Sequence, residues 1–193
     1  MARGAVAAIA PGLPDLLRPG LDIVFVGINP SLYSAQKGHY FVRPTNRFWP
    51  AFSRSRLSVK VRVALGVEQL DPSHDVLLLQ HGIGFTDLVK RPSARAAELS
   101  RSELEAGAKA LTRKLAELRP HIACIHGVTA YRPLQRILAP EGAEPQLGPQ
   151  AERLGPAPIF VVPNPSPANA HFTPADQTRW YDRLAAALEG LPV

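Results

Sequence analysis

Two apolar runs in this 193-residue chain stop at the same polar punctuation, "VFVGINPS" over residues 24–31 and "FVVPNPS" over residues 160–166. Asn29 and Asn164 each bring a carboxamide, with donors and an acceptor, that can hold a water molecule or a polar ligand atom. A carboxamide orients water but does not take its proton at neutral pH. A carboxylate does, and Asp87, in "GFTDLVKRP", is the candidate for that step. A plainer reading stands beside this one: both asparagines as turn caps before proline, and Asp87 as a helix-start cap or a surface partner of Lys90 or Arg91. His39, His74, His81, His121 and His126 show no metal-ligand spacing, so no metal site is read, and they are taken as structural or exposed. His126, at the end of a core strand, is the one placed to reach a pocket edge.

These residues need elements to bring them together. Short, nearly uncharged runs at 21–27, 121–126 and 158–163 predict buried strands. Between them lie helical patterns. The clearest covers 101–118, with Ser100 and Glu103 as a capping box, an apolar face of Leu104, Ala108, Leu111, Leu115 and Leu118, and Pro120 beyond its end. A second spans about 174–189, capped by Thr173 with Pro174 in its first turn, and is expected to bury Trp180, Leu184 and Leu188. Weaker helical patterns cover 45–53, 74–81 and 129–138, and 139–157 reads as a loop or an edge hairpin. Alternating strands and helices imply a mainly parallel sheet covered on both faces, in which ligands bind beyond the carboxyl ends of the strands. Both asparagine turns would then share one edge of the sheet.

Composition narrows the function. The chain is read as a single domain over 1–193, with 1–19 a loosely ordered N-terminal segment. No apolar run approaches the roughly 18–20 residues that span a bilayer, and the opening "MARGAVAAIAPGLPDLL", broken by glycine and proline, is not read as a signal peptide. A cytoplasmic monomer with no membrane partner is expected. The one cysteine, Cys124, excludes an intramolecular disulfide and a four-cysteine metal or iron–sulfur site. The formal net charge is +6, and no acidic residue falls between Asp22 and Glu68. That interval holds Lys37, Arg43, Arg47, Arg54, Arg56, Lys60 and Arg62, together with seven of the thirteen aromatic residues. Cations that attract phosphates, interleaved with rings that stack on bases, make a nucleic-acid footprint. A solvated basic face beside an aromatic core would look the same at this level.

The stretch "GINPSLYSAQKGHYFVRPTNRFW" over 27–49 resembles the first motif of the mismatch-specific uracil-DNA glycosylase and thymine-DNA glycosylase family, within the uracil-DNA glycosylase superfamily. The resemblance continues in order through "GFTDLVKRPS", "HGVTAY" and "VVPNPS". It implies an α/β fold, a three-layer α/β/α sandwich around a short, mainly parallel central sheet. It also implies extrusion of uracil from double-stranded DNA, with G·U mismatches as the expected substrate, and hydrolysis of the N-glycosidic bond without a cofactor.

The same resemblance implies residue roles. Asn29 stands at the water-positioning site, and Phe41 at the ring on which the base stacks. Gly27, Ile28 and Phe41 supply backbone groups to the base edge, Ser34 stands beside the pocket, and Asn164 belongs to the second base-binding motif. Lys37, Arg43 and Arg47, with the loop of Ser166, Pro167, Ala168, Asn169 and His171, are expected against DNA. Two departures matter. Asp87 stands where relatives generally carry no acid, so it is read with Asn29 as catalytic. After the second motif the family's wedge leucine and its arginine are replaced by the run Pro167, Ala168, Asn169, Ala170, so mismatch preference is open and His171 or Phe172 is the candidate wedge. A non-catalytic nucleic-acid binder and an enzyme of free nucleosides are the competing classes.

Overall fold

The computed structural model describes residues 12–190. Its sheet contains β1 (Ile23–Gly27), β2 (Ile83–Asp87), β3 (Ile122–His126), β4 (Gly148–Leu154) and β5 (Ala157–Val162), in the order β2-β1-β3-β5-β4. The first four of that spatial order run parallel, and β4 pairs antiparallel with β5. The segment 139–157 is thus a loop up to residue 147, followed by the edge strand of a hairpin with β5.

Strand periodicity sorts side chains between the two faces. Ile23 and Phe25, Ile122 and Cys124, and Phe160 and Val162 point to one core, while Val24 and Val26, Ala123 and Ile125, and Ile159 and Val161 point to the other. The first core is closed by the helices α2 (Phe48–Arg54) and α7 (Pro174–Glu189), through Phe48, Phe52, Tyr181 and Leu184. The second is closed by α5 (Arg101–Leu118) and α6 (Val128–Leu138), through Leu111, Leu115, Tyr131 and Leu134. The result is the expected three-layer sandwich, and burial on both faces explains why the strands read as unbroken apolar runs.

The expected capping box of α5 forms, and α7 carries a second. Glu103 N–H donates to Ser100 Oγ at 3.2 Å and Ser100 N–H to Glu103 Oε2 at 2.8 Å; Thr173 and Asp176 repeat the pattern on α7. The buried face of α7 differs from the one expected. It is Gln177, Tyr181, Leu184 and Ala185, with Trp180 and Leu188 half-buried at its flanks. The Trp180 ring sits beneath the Arg183 guanidinium at 4.6 Å and borders open space. Among the described residues three further, short α-helices occur: α1 (Leu32–Lys37), α3 (Val59–Leu65) and α4 (Asp75–Leu78).

β2 has no counterpart among the sequence expectations. It lies at the sheet edge but is buried throughout, because the N-terminal segment covers it: Leu16 and Phe85 exchange backbone hydrogen bonds at 2.9 Å. Asp15 fastens the same segment, accepting from Thr86 Oγ1 at 2.6 Å and Lys90 Nζ at 2.6 Å and pairing with Lys114. Residues 12–19 are therefore anchored rather than loose, and residues 1–11 lie outside the described residues. No helix among the described residues is long and apolar enough to cross a membrane.

Candidate active site

The carboxyl ends of β1, β2, β3 and β5 open onto one cleft of about 1200 Å³. Gly27, Ile28 and Asn29 border it from the first turn and Asn164 and Ser166 from the second, with Ser34, Phe41, Asp87 and His126 also on its wall. The two asparagine turns thus meet across a shared space. They are held there by long-range contacts: β1 and β2 stay paired past their ends, with Leu88 N–H donating to Gly27 O and Val89 N–H to Ile28 O, each at 2.9 Å.

Asn29 has its carboxamide nitrogen committed. The two protons on Nδ2 are shared among three acceptors, Pro30 O at 3.1 Å, Arg91 O at 3.0 Å and Ser93 Oγ at 2.9 Å. Ser93 Oγ donates onward to Arg95 O at 2.8 Å, so it must accept from Asn29, and this direction fixes which end of the carboxamide is which. Oδ1 is left as the free acceptor, with no donor among the described residues. The partner loop is itself pinned, since Arg91 Nε pairs with Glu103 Oε1 at 2.5 Å on α5.

Asp87 ends β2 in register with Gly27. A Cβ at position 27 would lie 2.5 Å from Asp87 Oδ1, so only glycine lets the carboxylate approach the β1 backbone this closely. Asp87 is no helix cap, and neither neighbouring cation bonds it: Lys90 goes to Asp15 and Arg91 to Glu103. Its Oδ2 is buried without a hydrogen-bond partner. Burial pushes this carboxyl up to about 7, with the charge of Lys90 opposing and that of Asp15 adding to the rise. A carboxylate poised near neutrality, bordering a cleft, is a group able to take a proton there.

Phe41 adopts φ 54°, a left-handed conformation that costs a bulky residue on the order of 1–3 kcal/mol. Its ring stacks on Phe48 at 4.4 Å and 17° and meets the His126 ring edge-on at 5.1 Å. Phe41 is half-buried and borders the cleft rather than being walled into the core. Ser34 is buried beside it. Ser31 Oγ accepts from Ser34 N–H and donates to Ser34 Oγ, both at 3.0 Å, which leaves the Ser34 hydroxyl proton free. Asn164 acts partly as a turn cap: its Oδ1 accepts from Ser166 N–H at 2.9 Å, while Nδ2 has no partner among the described residues. Gly127, at φ +93°, lets the β3–α6 turn come against it, a Cβ there lying 3.1 Å from Asn164 Cβ.

His126, the one histidine the sequence places within reach of a pocket edge, lies on the cleft wall, though the sequence assigns it no role. It is fully buried at the cleft wall, its Nε2 is 3.0 Å from Tyr181 Oη, and its Nδ1 has no hydrogen-bond partner. Burial holds the imidazole down to about 3, against a smaller opposing effect of the Val26 carbonyl, so it is neutral at physiological pH. Ser93 and Arg95 were missed; they follow β2, and a strand not read as a strand gives no reason to look beyond its end.

The basic segment does not form one free surface. Arg43 and Arg95 are exposed and line the cleft. Lys37 is exposed on α1, over the Tyr33 ring at 5.8 Å, and is not on the cleft wall. Arg47 is a tie rather than a free cation: it donates to Asn169 O at 2.8 Å, and its N–H to Pro165 O at 3.0 Å, fastening the second asparagine turn to α2. Arg56 pairs with Glu189 at 2.9 Å, and Arg62 bonds Ser58 and the Glu68 carbonyl. Pro167, Ala168, Asn169, His171 and Phe172 all border the cleft, the histidine exposed and the phenylalanine half-buried.

The fold and the cleft define a three-layer α/β/α protein with a pocket at the carboxyl edge of its sheet, apolar over most of its wall and set with a few polar groups. The same fold is seen in the solution NMR structure of a Methanosarcina acetivorans protein provisionally named a uracil DNA glycosylase, with a TM-score of 0.57 and 23% identity over 93% of this chain and 98% of that one. The family model for the Uracil DNA glycosylase superfamily matches residues 14–187, and the chain belongs to that superfamily. It is by that membership a DNA glycosylase in the general sense, a hydrolase of base excision repair that acts on DNA.

Proposed function

We propose that this protein removes uracil from double-stranded DNA, G·U pairs foremost, by turning the base into the cleft and hydrolysing its N-glycosidic bond. One observation carries the reading: Asn29, Asp87, Phe41 and Asn164, drawn from distant parts of the chain, border a single cleft with arginines at its rim. The Phe41 face turned away from Phe48 receives the base. The Ser34 hydroxyl, Asn164 Nδ2 and the neutral His126 offer polar groups to its edge, and Arg43 and Arg95 hold phosphates.

Asn29 Oδ1 accepts a hydrogen bond from the attacking water. As the bond from C1′ to N1 breaks, its electron pair leaves with the base and positive charge develops on the sugar. The Asp87 carboxylate, desolvated and unpaired, faces that charge and takes the proton of the water as its oxygen bonds C1′.

The test measures abasic-site formation, by alkali cleavage of labelled oligonucleotides with uracil opposite guanine, opposite adenine and in single strand. Cleavage by the wild type, lost mainly in Asp87→Ala and reduced in Asn29→Ala, is expected. Equal small losses in both variants overturn the catalytic assignment, and binding without cleavage overturns the activity in favour of a non-catalytic binder.

A further inference from the structure

Phe41 follows a residue whose backbone is gripped at both ends. The Tyr40 N–H donates to Asp75 Oδ2 at 2.9 Å, and the Tyr40 carbonyl accepts from Trp49 Nε1 at 2.9 Å. The Tyr40 hydroxyl is fastened as well, donating to Pro14 O at 2.9 Å. Asp75 opens the four-residue helix α4 and is 1% exposed. Its Oδ1 accepts from His39 Nδ1 at 3.1 Å and from Val76 N–H at 2.8 Å. A short surface helix needs no buried carboxylate to begin, and an exposed serine or aspartate would serve. Here the carboxylate reaches back instead to two successive residues just before Phe41. Without that grip the left-handed conformation of a bulky residue would relax, since its Cβ crowds the neighbouring carbonyl. The ring would then leave Phe48 and the cleft wall.

We propose that Asp75 is a positioning residue of the base-stacking site: through His39 and Tyr40 it holds Phe41 in its strained conformation, ring presented, before a base arrives. The assignment rests on Phe41 being the ring that receives the base. A ring placed in advance spares the ordering cost at the moment of binding.

The experiment is a double-mutant cycle in kcat/KM on uracil-containing duplex DNA, with thermal stability measured on the same four proteins. Asp75→Asn should lower kcat/KM about tenfold in the wild-type background and less than about twofold in Phe41→Ala, the signature of coupled residues. The Tm values need only show that all four proteins are folded at the assay temperature. Trp49→Phe removes the other grip on Tyr40 and should show the same dependence on Phe41, which covers the case of a poorly folded Asp75→Asn. Equal fold-losses in both backgrounds would reduce Asp75 to a structural residue and overturn the assignment while leaving uracil excision standing. A wild type that does not cleave uracil overturns both.

Discussion

Replacing Asp87 with asparagine should stabilise the protein in alkali, leave its stability in acid unchanged, and remove most of its activity. The carboxyl is raised from 3.8 to about 7 by burial. Below about pH 3.8 it is protonated folded and unfolded alike, and no penalty exists. Between 3.8 and about 7 the unfolded chain ionises first, so the penalty grows with pH; above about 7 it is complete. A shift of roughly 3 units at about 1.4 kcal/mol each sets an upper limit near 4 kcal/mol. Protein interiors respond to charge more than a dry medium does, so about half of this, roughly 2 kcal/mol, is expected. For a domain of this size that is about 4–8 °C in Tm. Asparagine cannot ionise and escapes the penalty. The assay is thermal unfolding followed by circular dichroism at about pH 4 and about pH 8.5, variant against wild type. His126 titrates with the opposite slope, losing stability as pH falls from 6.5 toward about 3, but it does so in both proteins and cancels in the difference. In parallel, wild-type activity should rise with pH through about 7, and the residual activity of the variant should not. A Tm gap of equal size at both pH values, or a variant less stable in alkali, refutes the buried, unpaired carboxylate.

Gly27→Ala should displace the Asp87 carboxylate, because the new Cβ would stand 2.5 Å from Oδ1. Activity on uracil DNA should fall at least about tenfold while stability changes by no more than about 1 kcal/mol, as a carboxylate can rotate away; unchanged steady-state rates would show that its position is immaterial. Phe172→Ala or His171→Ala should weaken binding to mismatched duplex several-fold more than to single strand, measured by fluorescence anisotropy, because a wedge acts only where a base has left a stack. An unchanged ratio in both variants removes the wedge.

The parts of the fold that the sequence discloses are those whose signals are local. β1, β3 and β5 are apolar on both faces and stand out as runs, α5 is announced by its capping box, and α7 by Thr173 with Pro174 in its first turn. β2 was not legible because Gly84, Thr86 and Asp87 break its apolar pattern, and its burial depends on a chain segment some seventy residues earlier closing over it. The same distance hides chemistry. Asp87 could be named from the sequence, but whether Lys90 would neutralise it could not, because the competing partner, Asp15, arrives with that segment. Arg47 was expected against DNA, and nothing in the sequence shows that its guanidinium would also bond the Asn169 carbonyl. Asp75, at the start of a weak helical pattern over 74–81, gives no hint that its carboxylate is buried or bonded to Tyr40. The position of His126 at a strand end places it near a pocket edge, but only the packing of Tyr181 against it shows that one nitrogen is used and the other is not.

The Asn29 and Asn164 turns leave the sheet from β1 and β5, between which only β3 intervenes. Adjacent strands stand about 4.8 Å apart, so the bases of the two turns are spaced roughly 10 Å apart by ladder hydrogen bonds rather than by loop conformation. The aperture is in that sense a fixed gauge. Motion of the surrounding loops can cover or uncover it, but widening it would require parting a parallel ladder in the middle of the core.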